Sequence, residues 1–123
     1  MAIQFNDDIT TKIIDCCQKR EAILANSRSM KSYNNYFDKM RKYMRELIEN
    51  NAEGALLSYL DNDSISTRFD IAILLYNSFP KECRKVLEEI SEMNVKNGLP
   101  KHLVIVSVAA YNNLKYGIPA DFP

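Results

Sequence analysis

The run ALLSYLDNDSISTRFDIAILLYNSFPKECRKVLEEISEM over residues 55–93 does more than any other part of this chain to limit what it can fold into. It holds three short amphipathic segments joined by tight turns. Segments of this kind cannot bury their apolar stripes alone, so they stack on one another until a continuous core forms. Asp61, Asn62, Asp63 and Ser64 make a polar turn with several potential caps, after which Ile65, Phe69, Ala72 and Leu75 or Tyr76 mark one helix face. Ile71, Ala72, Ile73, Leu74 and Leu75 are apolar in succession rather than in stripes, which requires burial on more than one side and makes this the central helix. Phe79 and Pro80 end it, and Pro80 preorganises the first turn of a following helix that carries Val86, Leu87, Ile90 and Met93.

The same logic extends outward. Asn6, Asp7 and Asp8 place acceptors and negative charge where a helix start wants them, and Ile9, Ile13, Cys16 or Cys17, and Ile23 or Leu24 follow at helical spacing to about residue 25. After a polar turn at Asn26, Ser27, Arg28 and Ser29, Ser32 is the expected cap of a second helix with Tyr33, Phe37, Met40, Met44 and Leu47 in line. Asn50 and Asn51 suit a left-handed stop, and Gly54 is a further break before a short third helix over residues 55–60. Asn97 and Gly98 stop the fifth helix or its tail, and Pro100 opens a sixth that runs through Lys115, with Gly117 beyond its end and an extended tail over residues 117–123. Residues 103–108 are β-branched enough to read as a buried strand, but a lone strand has nothing to pair with in a helical chain, so helix is the favoured reading. The expectation is one all-α domain over residues 1–123, of five or six helices in antiparallel hairpins.

Composition narrows the function. The 123 residues, 46% of them apolar, suffice for one substantial core. The most apolar stretch, residues 103–116, falls well short of the roughly 20 residues that span a bilayer. With no basic, then apolar, leader in MAIQFNDDITTK, a cytoplasmic protein with no membrane association is expected. Cys16, Cys17 and Cys83 are read as reduced core residues, and a single histidine with no CxxC spacing leaves no metal site. His102, beside Pro100, lacks a nucleophile at a recognisable spacing, and three glycines cannot build the usual phosphate cradle. No catalytic residue, cofactor or metal is therefore expected, and the chain is read as a non-enzyme.

Charge is zero overall but divided. Residues 12–45 carry nine bases against three acids, and residues 46–93 carry ten acids against four bases, a swing from +6 to −6. Such a division concerns partners and steering more than fold. In the acidic half, Asp61, Asp63, Asp70, Glu88, Glu89 and Glu92 can present a negative surface with Tyr59 and Tyr76 as aromatic anchors, suited to a basic protein partner. In the basic half, Lys31, Tyr36, Lys39, Arg41, Lys42 and Arg45 interleave rings and cations as nucleic-acid binders do, although the same pattern suits an ordinary solvated helix, which makes this the alternative reading. A monomer or weak dimer is expected.

The run Leu56, Leu57, Tyr59, Leu60, then Asp61 or Asp63, then Arg68, Ala72 and Leu75 resembles HEAT-type α-α repeats over roughly residues 55–93, and more closely a small bacterial domain family of uncharacterised function built on that repeat. The resemblance implies a HEAT/ARM-like superhelical core in which Arg68 pairs with Asp63 or Asp61 to hold successive hairpins in register. It also implies a role as an immunity protein that neutralises a cognate bacterial toxin, a nuclease by preference, by occluding its active site.

Overall fold

The computed structural model describes residues 2–26 and 29–119, with side chains from residue 8 onward. Five α-helices follow in order: α1 (Ala2–Ala25), α2 (Met30–Glu49), α3 (Ile65–Leu75), α4 (Pro80–Ser91) and α5 (Val104–Tyr116). A 3-10 helix, Glu53–Asp61, joins α2 to α3, and two short 3-10 turns, Val95–Asn97 and Lys101–Leu103, join α4 to α5. Among the described residues there is no strand, so the chain is all-α and residues 104–108 are helical.

The helix ends show what the local chemistry decides. Ser29, not Ser32, caps α2: its Oγ accepts the Ser32 N–H at 3.4 Å, which makes Ser32 the third helical residue and adds most of a turn. Asn51 takes the left-handed conformation expected of the stop, with φ +54°. Ser64 caps α3 by accepting the Thr67 N–H at 3.1 Å, and its own hydroxyl donates to Glu21 Oε2 at 2.8 Å, tying the start of α3 to α1. Pro80 occupies the first turn of α4, and Gly117 lies past α5 at φ +87°. Several expected boundaries move: α4 ends at Ser91, so Asn97 and Gly98 close the 3-10 turn after it, and α5 begins at Val104, with Pro100 preceding a 3-10 turn instead. Helix α1 already begins at Ala2, so Asn6, Asp7 and Asp8 lie within it; interior acids cost a helix only tenths of a kcal/mol, roughly, and do not break it. The segment expected as a short α-helix over residues 55–60 is a nine-residue 3-10 helix, a long run for that tighter geometry, anchored by buried Leu56 and Leu60. Of the extended tail, residues 117–119 carry no regular structure, and residues 120–123 lie outside the described residues, as does Arg28.

Helix α3 is the centre. It packs on α1, the 3-10 helix, α4 and α5, and Phe69 and every residue from Ile71 to Leu75 are buried. Ile9, Ile13, Cys16 and Cys17 approach it from α1, Met40, Met44 and Leu47 from α2, Cys83, Leu87 and Ile90 from α4, and Val106 and Ala110 from α5, in one apolar cluster. Hairpins α1–α2 and α4–α5 supply most of the remaining contacts, with smaller ones from the 3-10 helix and turns to α1, α2 and α5. No helix among the described residues is long and apolar enough to cross a membrane.

Candidate functional site

The strongest polar arrangement lies inside this core. Arg20 of α1 donates from Nε to Asp70 Oδ2 of α3 at 3.1 Å and from Nη1 to the Tyr33 carbonyl oxygen of α2 at 2.9 Å. Its guanidinium stacks on the Tyr33 ring at 3.7 Å and stands 4.7 Å from the Phe37 ring centre. One side chain thus joins three helices by charge, hydrogen bond and cation–π contact. Arg20 is 4% exposed and Asp70 0%. Asp70 Oδ1 has no hydrogen-bond partner, and burial pushes the carboxyl up to about 6 against the opposing pull of Arg20.

Asp70 therefore corrects the expected acidic docking surface, of which it forms no part. Position 70 sits on a helix covered on all sides, so an acid there faces another helix rather than solvent, and it persists because Arg20 meets it. The expected register pair is corrected as well. Among the described residues Arg68 makes no ion pair with Asp61 or Asp63, and its Nε has no hydrogen-bond partner. The inter-helix Arg–Asp pair is Arg20–Asp70.

A carboxyl held at about 6, above its ordinary 3.8, keeps its proton more tightly in the folded than in the unfolded chain. Its stabilising contribution is complete below about pH 4 and is lost as pH rises through about 6, at about 1.4 kcal/mol per pH unit within the window. The Asp70→Asn variant cannot titrate there, so its stability profile should lack this downward slope. Urea unfolding at half-unit pH steps checks it: parallel profiles for the two proteins would mean that Asp70 titrates no differently once folded.

Three of the surface grooves among the described residues bear on binding. The first, about 370 Å³, lies between the 3-10 helix and α4; Leu57, Leu60 and Val86 form its apolar lining, and Asp61, Glu82 and Glu89 stand around it with Arg68 and Lys85. It brings together Asp61 and Glu89 of the expected acidic set. Asp63, Glu88 and Glu92 are exposed but do not line it, and Glu88 is engaged by Arg84 Nε at 3.1 Å. Tyr59 and Tyr76 are half-buried against the core and outside the groove.

The second, about 450 Å³, runs along α2 and gathers Tyr36, Lys39 and Lys42 with Asp38. Lys39 Nζ stands 5.1 Å from the Tyr36 ring centre and Lys19 of α1 5.7 Å, so the ring is flanked by two ammonium groups. Lys31 and Arg45 are exposed and Arg41 is half-buried, all outside this groove. The third, about 260 Å³, opens beside α5, with Arg20 and Phe37 among its walls.

No known protein family, curated protein or solved structure matches this chain.

The chemistry therefore rests on the residues themselves. Burial raises the Cys16 thiol, raises Cys17 well above its ordinary value and pushes Cys83 up to about 12, which leaves little thiolate for nucleophilic attack at neutral pH. Among the described residues no group of His, Cys, Asp and Glu side chains is assembled to hold a metal ion. His102 is exposed in the turn before α5. Sequence reasoning missed Arg20 and Glu82. The signal for Arg20 was its place on the apolar stripe of α1, one turn after Cys16 and Cys17 and one before Ile23; Glu82 left no comparable mark.

Proposed function

We propose that this chain is a non-catalytic protein-recognition module of HEAT-like build that acts by occlusion, and that its most specific role is as a cytoplasmic immunity protein for a bacterial toxin with a basic active-site cleft. The observation that supports this reading is the groove between the 3-10 helix and α4, where Asp61, Glu82 and Glu89 outnumber Arg68 and Lys85 around an apolar lining. That combination accepts the aliphatic stem of a lysine or arginine and meets its charged end. Opposite fields also raise association rates, which a neutralising protein needs. The experiment is co-expression with the toxin domain encoded by the adjoining reading frame, followed by stopped-flow association with the purified partner. Growth rescue is expected, and Asp61→Lys, Glu82→Lys and Glu89→Lys together should slow association roughly tenfold or more with the fold intact. An unchanged rate dismisses the groove.

A second reading, binding of single-stranded nucleic acid along α2, is favoured by the Tyr36 ring flanked by Lys19 and Lys39. Such a site stacks bases and neutralises phosphates, so affinity for generic RNA or DNA must fall steeply with added salt. A fluorescence titration at two salt concentrations that shows no salt-sensitive binding makes these lysines an ordinary solvated helix face.

A further inference from the structure

Burial is one-sided at the last helix, where Val106 and Ala110 face the core. Val104, Ile105, Val108, Tyr111 and Tyr116 of α5 make five of the seven large apolar residues exposed among those described, so the apolar surface left open is concentrated on one element. Val104, Val108 and Tyr111 recur at intervals of four and three, the spacing of a helix-pairing seam, and Val108 and Tyr111 are 50% and 53% exposed. Ile105 extends this stripe sideways, because it also lines the 260 Å³ groove whose walls include Phe37, Phe69, Ile73 and Ala109. Ridge and groove are therefore one surface, with room in the groove for a single large apolar side chain.

Charge selects the occupant. The seam continues at both ends into lysine: Lys101, exposed, precedes Val104 by three residues, and Lys115 follows Tyr111 by four with its Nζ 5.9 Å from the Tyr111 ring centre. No acidic residue occurs anywhere in residues 93–119. A second copy of this helix would set lysine against lysine at the ends of the seam in either direction, antiparallel through Lys101 against Lys115 and parallel through like residues. An apolar helix without charge would leave both ammonium groups unanswered.

We propose that the outer face of α5 and the adjoining groove form a docking site for an amphipathic helix of another protein, one whose apolar stripe has carboxylates at both ends. Its central apolar side chain enters the groove at Ile105, and its flanking acids pair with Lys101 and Lys115, in the helix-in-groove mode of peptide recognition. The site shares no residue with the groove between the 3-10 helix and α4, so it stands or falls independently of the toxin reading.

The test uses the full chain and two lactam-stabilised helical peptides of about 20 residues, long enough for about five turns. Both carry leucine and phenylalanine at four-three spacing; one has glutamates at its ends and the other lysines. Fluorescence anisotropy should give a Kd below about 100 µM for the acidic peptide and at least roughly tenfold weaker binding for the basic one. Val108→Glu, at a half-exposed position, should abolish binding with an unchanged melting curve. Lys101→Glu with Lys115→Glu leaves the apolar seam intact and should reverse the preference between the peptides. Failure of both peptides to bind, equal affinity for the two, or sedimentation showing that the chain dimerises and that Val108→Glu restores the monomer, overturns the proposal.

Discussion

At pH 8, Arg20→Met should lower the unfolding free energy by about 3–5 kcal/mol, because it leaves the Asp70 carboxylate inside the protein with no cation. The substitution keeps most of the side chain's length and apolar stem, so the loss is electrostatic rather than one of volume. Three interactions go at once: the hydrogen-bonded ion pair at 3.1 Å, the bond to the Tyr33 carbonyl at 2.9 Å and the stacking on Tyr33 and Phe37. With Arg20 gone, the one influence that chiefly opposes desolvation of Asp70 is removed, so the carboxyl rises further above 6 and its pH-dependent loss of stability, which still begins near pH 4, continues to higher pH. Replacing both partners, Arg20→Met with Asp70→Leu, should return most of the stability, since no buried charge then remains. Urea unfolding of the two single variants and the double measures the coupling directly. A cost below about 1 kcal/mol for Arg20→Met would mean that the pair is solvated and contributes as a surface pair does.

The pair also shows where reading the sequence succeeded and where it could not. Helix α3 was legible because five consecutive apolar residues admit only burial on several sides, and Pro80, Asn51 and Gly117 mark their ends through backbone geometry that belongs to the residue itself. Residues 104–108 resolve as helix for a topological reason: their β-branched side chains suit a strand, but no partner strand exists among the described residues. Asp70 went astray because an acid between helix positions is ordinarily a surface residue, and its burial depends on what α1 brings to it from fifty positions away. The clue was in the order Phe69, Asp70, Ile71: an acid embedded in an otherwise covered helix requires a cation, and Arg20 interrupts the apolar stripe of α1 in the same way. Two anomalies of opposite sign on two apolar faces constitute a pairing signal that neither carries alone. Asp61 and Glu89 share a groove because the turn before α3 brings the end of the 3-10 helix beside α4, which charge counting along the chain cannot register.

Leu74→Ala should cost about 2–5 kcal/mol, a large part of the roughly 5–15 kcal/mol that holds a domain of this size together. Leu74 is fully buried at the centre of the common core. The cost of such a truncation depends on how far neighbours can move into the space left behind, and here their freedom is small. The Arg20–Asp70 pair fixes the approach of α1 to α3, Ser64 holds the start of α3 to Glu21 of α1, and the Ser107 hydroxyl on α5 donates to the Met93 carbonyl oxygen just past α4 at 2.8 Å. With the helices around Leu74 pinned by polar contacts that would have to stretch before the cavity could close, the value should fall in the upper half of the range. Val108→Ala, which removes apolar atoms from a half-exposed position, should change stability by less than about 0.5 kcal/mol. The comparison separates burial from hydrophobicity, since both residues are apolar and both stand on helices. Urea midpoints at constant slope give the two numbers. Arg20→Met combined with Leu74→Ala then tests the pinning itself: if the ion pair restrains collapse around the cavity, releasing it should make the Leu74 truncation cost less, and the two losses should sum to more than the double variant shows.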